Sequence, residues 1–224
     1  MFSGALQAAV PPVVVISGEA GIGKTTVWAA ALELARAQGY RALVARPAGP
    51  ESQLAYSALN DLLAGLVDGL LPELPSPRAR MLRVALLLEE PGSVPVSSRA
   101  VTFALLDALR LLVRRGDMLL VAVDDVQWLD PASATALGFA LHRLHDIGRV
   151  AGLLSCRTER GTVIEQSLTA DRLLRIELGP LSLGALSRII LERLGRSVPI
   201  PLMAEIHRAA DGNPFYALEL ARRS

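Results

Sequence analysis

Short blocks of consecutive apolar residues alternate along the chain with longer stretches in which leucine, valine and alanine return every three or four positions, the pattern of buried strands linked by amphipathic helices. Val13-Val14-Val15-Ile16 predicts a first strand, and Val27 to Gln38 the helix after it. Arg41 to Arg46 predicts a second strand, ended by Pro47-Ala48-Gly49-Pro50, which completes one βαβ unit. A helical insert follows, with Leu59, Leu62, Leu63 and Leu66 at helical spacing, and then a second helix over Arg78 to Glu90, after Pro72 and Pro75. These leucines read as core. Pro91 to Ser98 predicts a loop, and Ser98 to Arg115 a helix with Val101, Leu105, Leu109 and Leu112 on one face, stopping at Gly116. Met118 to Val123 is apolar throughout, as a strand covered on both faces would be, and Pro131 to Ile147 is a helix with Ala134, Leu137, Leu141 and Leu144 inward. Val150 to Cys156 and Leu173 to Leu178 predict the last two strands. Beyond Gly179-Pro180 the pattern is purely helical: Leu183 to Leu194, Pro201 to Ala210 and Pro214 to Arg222. That change divides the chain into an α/β domain, residues 1–179, and a small helical lid, residues 180–224. No internal repeat or low-complexity tract is visible.

Between the first strand and its helix stands Gly18-Glu19-Ala20-Gly21-Ile22-Gly23-Lys24-Thr25-Thr26, a phosphate-binding loop of the G-x-x-x-x-G-K-S/T pattern in its required strand–loop–helix context. Glycines at Gly18 and Gly23 let the backbone wrap a phosphate closely. Lys24 would neutralise β/γ-phosphate charge and Thr25 offer a hydroxyl to Mg²⁺. Lys24 is the only lysine in the chain, every other basic side chain besides histidine being arginine, and a compact point charge suits phosphate. The competing reading is a glycine-rich turn. Lys24 is expected on an exposed loop, free of core packing.

The buried-looking strand Met118 to Val123 ends in Asp124-Asp125. One carboxylate there can hold Mg²⁺ through its water shell, and its neighbour can orient or deprotonate an attacking water; alternatively the pair merely ends a strand. Asp130-Pro131 reads as a helix N-cap with proline at the first helical position, so Asp130 is structural, and Trp128 reads as packing. Arg157, at the end of the Val150 to Cys156 strand, is either a surface charge or a group turned toward the ligand crevice. His142 and His145 lie three apart without a third donor nearby in sequence, and are not read as a metal site. Cys156 reads as a small hydrophobe.

Composition narrows the partners. With 51% apolar and 20% charged residues the chain is too apolar for disorder, and 224 residues suffice for a sizeable core. A formal charge of +1 gives no broad basic field for nucleic acid or an anionic membrane. One cysteine excludes an internal disulfide and fits a reducing compartment, and the apolar first residues lack a basic n-region, so a cytoplasmic location is expected. No apolar run reaches the ~18 residues of a membrane span.

Taken together, GEAGIGKTT, LLVAVDDVQWLD, LLSCRTE and DGNPFYALELAR resemble the nucleotide-binding module of STAND-class P-loop ATPases, in particular the large ATP-binding regulators of the LuxR family, over nearly the whole chain. The resemblance implies a parallel sheet sandwiched by helices, of additional-strand type with order 5-1-4-3-2, followed by the lid. It implies ATP or ADP with Mg²⁺ as ligands, bound by Gly18, Glu19, Ala20, Gly21, Ile22, Gly23, Lys24, Thr25 and Thr26. It further implies Thr25 and Asp124 at the metal, Asp125 as catalytic carboxylate beside Lys24, Arg157 as γ-phosphate sensor, and Pro214 as the lid residue approaching adenine. Such regulators carry a glycine–arginine–glutamate element ahead of the first strand, whereas the dozen residues here contain no arginine. They continue into further domains ending in a helix-turn-helix, so the chain reads as a fragment that would not itself contact DNA, with nucleotide-dependent self-association possible.

The leading reading is therefore an ATP-binding, slowly hydrolysing switch module of a transcriptional regulator. The runner-up is an AAA-type ATPase module attached to another signalling effector or scaffold. A small-molecule kinase would not need DDVQWLD. A GTPase would need an Asn-Lys pair, and an ABC-type protein a Leu-Ser-Gly-Gly signature.

Overall fold

The computed structural model describes residues 13–92, 96–144, 147–157 and 161–224. Its centre is a five-stranded sheet of β1 (Val13–Gly18), β2 (Tyr40–Ala45), β3 (Met118–Val123), β4 (Val150–Cys156) and β5 (Leu173–Leu178). All neighbours run parallel in the order β2-β3-β4-β1-β5, which is the expected order read from the opposite edge. Val13 lies in register with Gly152 on one side and Leu173 on the other, so β1 is an inner strand and its carboxyl end opens between β4 and β5.

Side chains alternate across a strand, and β3 sorts its residues accordingly. Leu119, Val121 and Val123 enter one core with α2 (Ser57–Leu63), α5 (Ser98–Arg114) and α6 (Pro131–Leu144). Leu120 and Ala122 enter the other, beneath α1 (Lys24–Ala37), beside Trp28 and Leu32. Helices on both faces explain why β3 contains no polar residue. The Trp28 indole N–H donates to the Leu153 carbonyl at 3.2 Å and ties α1 to the sheet.

The boundaries differ from the pattern where local backbone chemistry intervenes. The loop's Lys24-Thr25-Thr26 already forms the first turn of α1. The leucine-rich insert breaks into α2, the single turn α3 (Val67–Leu70) and a 3-10 turn at Leu71–Glu73: Gly65 takes φ +72° between α2 and α3, and Pro72 falls at the start of the 3-10 turn. The helix expected to reach Glu90 ends as α4 (Ser76–Ala85), with Leu87 at φ +57° and largely in solvent. A further turn, α7 (Val163–Gln166), closed by a Thr162/Glu165 capping box, went unforeseen. The expected 91–98 loop includes residues 93–95, and His145 and part of LLSCRTE likewise lie outside the described residues.

After Gly179 come α8 (Leu183–Leu194), α9 (Ile200–Ala210) and α10 (Pro214–Arg223), which share a small core of Leu186, Ile190, Met203, Ile206, Ala210, Ala217 and Ala221. Among the described residues no helix is long and apolar enough to cross a membrane.

Candidate functional site

A cleft of about 500 Å³ opens between the carboxyl ends of the strands and the C-terminal helices. Ala20, Gly21, Gly23, Lys24, Thr25 and Thr26 line its floor. Gly18, Glu19 and Ile22 instead face a smaller cavity of about 240 Å³ behind the loop, so the nine loop residues divide between two spaces. Gly23 stands at φ +104° as the residue before α1, a conformation that a side chain would strain. At Gly21, φ +80°, a Cβ would fall 2.8 Å from Phe215 Cβ, so the loop and α10 approach too closely for any side chain.

Lys24 is not the exposed loop residue that its motif suggests. It is 5% exposed, and its ammonium donates to the carbonyls of Gly18 at 2.9 Å and Glu19 at 2.7 Å. Burial pushes its pKa below the usual 10.5; the nearby Asp125 carboxylate opposes that shift and Arg157 adds to it. The charge is thus held against its desolvation cost by two carbonyl dipoles beside the cleft.

Asp124 continues the Leu120–Ala122 face of β3 toward α1, and there its Oδ1 accepts from Thr25 Oγ1 at 3.4 Å and from the Ser155 hydroxyl. Its Oδ2 has no hydrogen bond among the described residues although the residue is only 6% exposed. A hydroxyl and an underused carboxylate oxygen form an all-oxygen donor set of the kind Mg²⁺ takes, usually through several waters. Asp125 leaves the strand in the left-handed region, φ 54° and ψ 56°, which turns the chain into a 3-10 turn at Val126–Trp128. Its N–H donates to Ser155 Oγ at 2.8 Å, its Oδ1 accepts from Gln127 Nε2 at 2.8 Å, and Arg157 Nε lies 3.7 Å from the same oxygen. Asp125 and Arg157 both line the cleft, and Arg157 reaches the smaller cavity too.

The opposite wall is apolar: Leu181, Ile189, Leu218, Pro214 and Phe215, with Glu192 and Arg193 at its rim. Asn213 caps α10, accepting from Phe215 N–H at 3.1 Å, and its Nδ2 donates to the Ala20 carbonyl of the phosphate loop at 2.9 Å. Asn213, Gln127 and Ser155 escaped the motif reading. A serine inside an otherwise apolar strand, and the asparagine directly before Pro214, were the available signals.

Asp130 does cap α6, accepting from Ser133 N–H at 2.9 Å, and it also accepts from Tyr56 N–H at 2.8 Å, where the chain enters α2. Trp128 packs on Gly49, and Cys156 is fully buried. Among the described residues no group of three potential metal-binding His, Cys, Asp or Glu side chains occurs.

The fold is shared with solved P-loop proteins. ORC1 of Aeropyrum pernix, solved with DNA, superposes with TM-score 0.56 at 18% identity over 99% of this chain and 55% of its own. RuvB of Thermotoga maritima gives 0.53 at 16%, over 99% and 58%. A STAND protein of Pyrococcus horikoshii with a tetratricopeptide repeat sensor gives 0.53 at 17%, over 95% and 27%. The chain therefore spans about a quarter to three fifths of the length of these proteins. No curated protein sequence matches it. The family model of the AAA ATPase domain matches residues 2–154, which take in the phosphate loop, the Asp124-Asp125 strand and most of β4, and the chain belongs to that family.

Proposed function

We propose that the chain is an ATP-binding, slowly hydrolysing switch module of a larger transcriptional regulator of the LuxR type, its nucleotide state passed on through the helical lid. The observation that carries the nucleotide reading is the convergence of Lys24, Thr25, Asp125, Arg157 and Pro214 on one cleft of about 500 Å³ with a buried carboxylate, Asp124, directly behind Thr25. The likeness to a protein described as a signal-transduction ATPase with numerous domains supports a module within a longer chain. The tie to LuxR regulators rests on GEAGIGKTT, DDVQWLD and DGNPFYALELAR.

In this reading the triphosphate lies on the loop, and the Lys24 ammonium exchanges its two carbonyl partners for phosphate oxygens, recovering Coulomb energy that its burial cost. Thr25 and Asp124 would hold Mg²⁺, which when bound would neutralise phosphate charge. Arg157 stabilises the charge that builds on the γ-phosphoryl oxygens. Asp125 orients a water and accepts its proton as the water oxygen bonds to phosphorus and the bond to the ADP oxygen breaks, giving ADP and inorganic phosphate. The apolar wall of Leu181, Ile189 and Leu218 takes the base and Pro214 closes over it.

A thermal-shift series with ATP, ADP and GTP, each with and without Mg²⁺, tests the reading. ATP at a hundredfold excess over its dissociation constant should stabilise the fold by about 2.7 kcal/mol, with a smaller gain when Mg²⁺ is withheld. No shift with any nucleotide would remove it. The isolated chain should give no sequence-dependent DNA retardation, given its charge of +1.

A further inference from the structure

Asp125 cannot place its own carboxylate, because it sits at a left-handed turn with its side chain 28% exposed at the edge of the cleft. Arg157 is a loose partner at 3.7 Å and is itself about half exposed. Gln127 is the closer one. Its Nε2 donates to Asp125 Oδ1 at 2.8 Å while its Oε1 accepts from the Arg157 backbone N–H at 3.1 Å. The amide orientation is dictated by both partners: a carboxylate oxygen can only accept and a backbone N–H can only donate. Both Asp125 contacts fall on Oδ1, so Oδ2 keeps no partner among the described residues.

We propose that Gln127 is a positioning residue for hydrolysis, its side chain holding the Asp125 carboxylate and the carboxyl end of β4 in one fixed relation. This rests on the reading of Asp125 as the group that accepts the proton from water. By occupying Oδ1 from below the cleft, Gln127 leaves Oδ2 as the oxygen for water. When the Arg157 guanidinium turns to a γ-phosphate, the Gln127 bond is the one that remains on Asp125. The Arg157 backbone stays tied to the same amide, so the arginine can move its side chain without shifting the turn.

Two substitutions separate this role from a purely structural one. Gln127→Ala removes both bonds, whereas Gln127→Glu keeps an acceptor for the Arg157 N–H but turns an oxygen instead of an N–H toward Asp125. Single-turnover hydrolysis with chain in excess over ATP, ATP affinity by calorimetry and thermal melts are measured for the wild type, both variants and Asp125→Asn. Both Gln127 variants should lose about 10- to 100-fold in hydrolysis rate, the scale on which small misplacements of a reacting group act, with ATP affinity within about twofold of wild type. Hydrolysis retained by Gln127→Glu but lost by Gln127→Ala would show that the amide serves only the β4 turn, and overturn the proposal. So would wild-type rates in both. If Asp125→Asn hydrolyses like the wild type, the role of Asp125 fails and this proposal with it, whereas loss in Asp125→Asn beside active Gln127 variants removes this proposal alone.

Discussion

Lys24 and Asn213 both donate to carbonyls of one phosphate loop, Lys24 to Gly18 and Glu19 and Asn213 to Ala20, yet they belong to regions held together very differently. Lys24 opens a helix that is packed along its length on the sheet, with Trp28 and Ala35 fully buried and both sheet faces covered. Asn213 belongs to three helices whose core is their own; the turn that carries it is bonded mostly within that unit, as by Leu181 N–H to the Gly212 carbonyl and Asn213 N–H to the Ala210 carbonyl, both at 2.9 Å, and reaches the phosphate loop through the Asn213 amide on Ala20. A densely packed wall fixes distances, and a thinly attached one can open at small cost. The sheet wall is thus suited to the reaction and the helical wall to binding and release, a division that substitutions on each side should expose.

The largest effect is expected on the sheet wall. Asp125→Asn should keep Mg-ATP binding and lose about 10²- to 10⁴-fold in hydrolysis, the usual worth of a general base, while Asp124→Asn should weaken the Mg²⁺-dependent part of binding. A rate assay at matched occupancy checks both. If Asp125→Asn hydrolysed normally, the two carboxylates would not divide the work as their opposed directions suggest. Glu19 would be a poor replacement, because it lines the smaller cavity rather than the cleft.

Next comes Lys24→Ala, expected to lower ATP affinity by about a hundredfold, or roughly 2.7 kcal/mol, the scale of one or two charge-assisted hydrogen bonds. Calorimetric titration reads it, and unchanged affinity would remove Lys24 from the phosphate site. The variant should still fold, although the Gly18 and Glu19 carbonyls lose their ammonium donor.

Smaller effects belong to the helical wall. Asn213→Ala removes the α10 cap, worth about 1 kcal/mol, together with the bond to Ala20. Amide exchange in α10 should quicken while amides of β3 and β4 keep their protection. Gly21→Ala should act in the same direction by pushing Phe215 away. Equal loss of protection in the sheet would mean that the two walls open as one unit.

The contrast between walls also decides what could be read from residue order. Strands β1, β3 and β4 announced themselves because burial on both faces demands unbroken apolar runs, and the phosphate loop because its glycines and Lys24 keep a fixed spacing. The alternation of β3 carries over to Asp124, on the α1 side with Thr25, whereas Asp125 is aimed by its left-handed turn, which spacing does not show. What stayed hidden depends on distant chain segments meeting. Ser155 matters because β4 lies beside β3, thirty positions away in sequence, and Asn213 because α10 returns to a loop 193 positions earlier. The early end of α4 was hidden for a local reason, since Leu87 adopts a left-handed backbone that leucine does not advertise.

The smallest effect is electrostatic and again sets a residue of the cleft against one far from it. Lys24 has a folded pKa below 10.5, so the unfolded chain binds the extra proton between the folded value and 10.5, and stability rises with pH across that window. Tyr40, 7% exposed in β2, has its pKa raised above 10.0 by burial, so its contribution is complete below 10.0 and is lost as pH climbs toward the folded value. The two oppose each other near pH 10. Because Lys24 is the only lysine, no other ammonium side chain confuses the titration. Thermal melts from pH 8 to 11 on the wild type, Tyr40→Phe and Lys24→Met should show a steeper rise for Tyr40→Phe and loss of the rise for Lys24→Met. ATP should abolish the Lys24 part, since phosphate charge beside the ammonium returns its pKa upward and binding then takes up a proton. Calorimetry at a series of pH values below 10.5, each in two buffers of different ionisation enthalpy, detects that uptake, and identical heats throughout would mean that Lys24 keeps its proton with and without nucleotide.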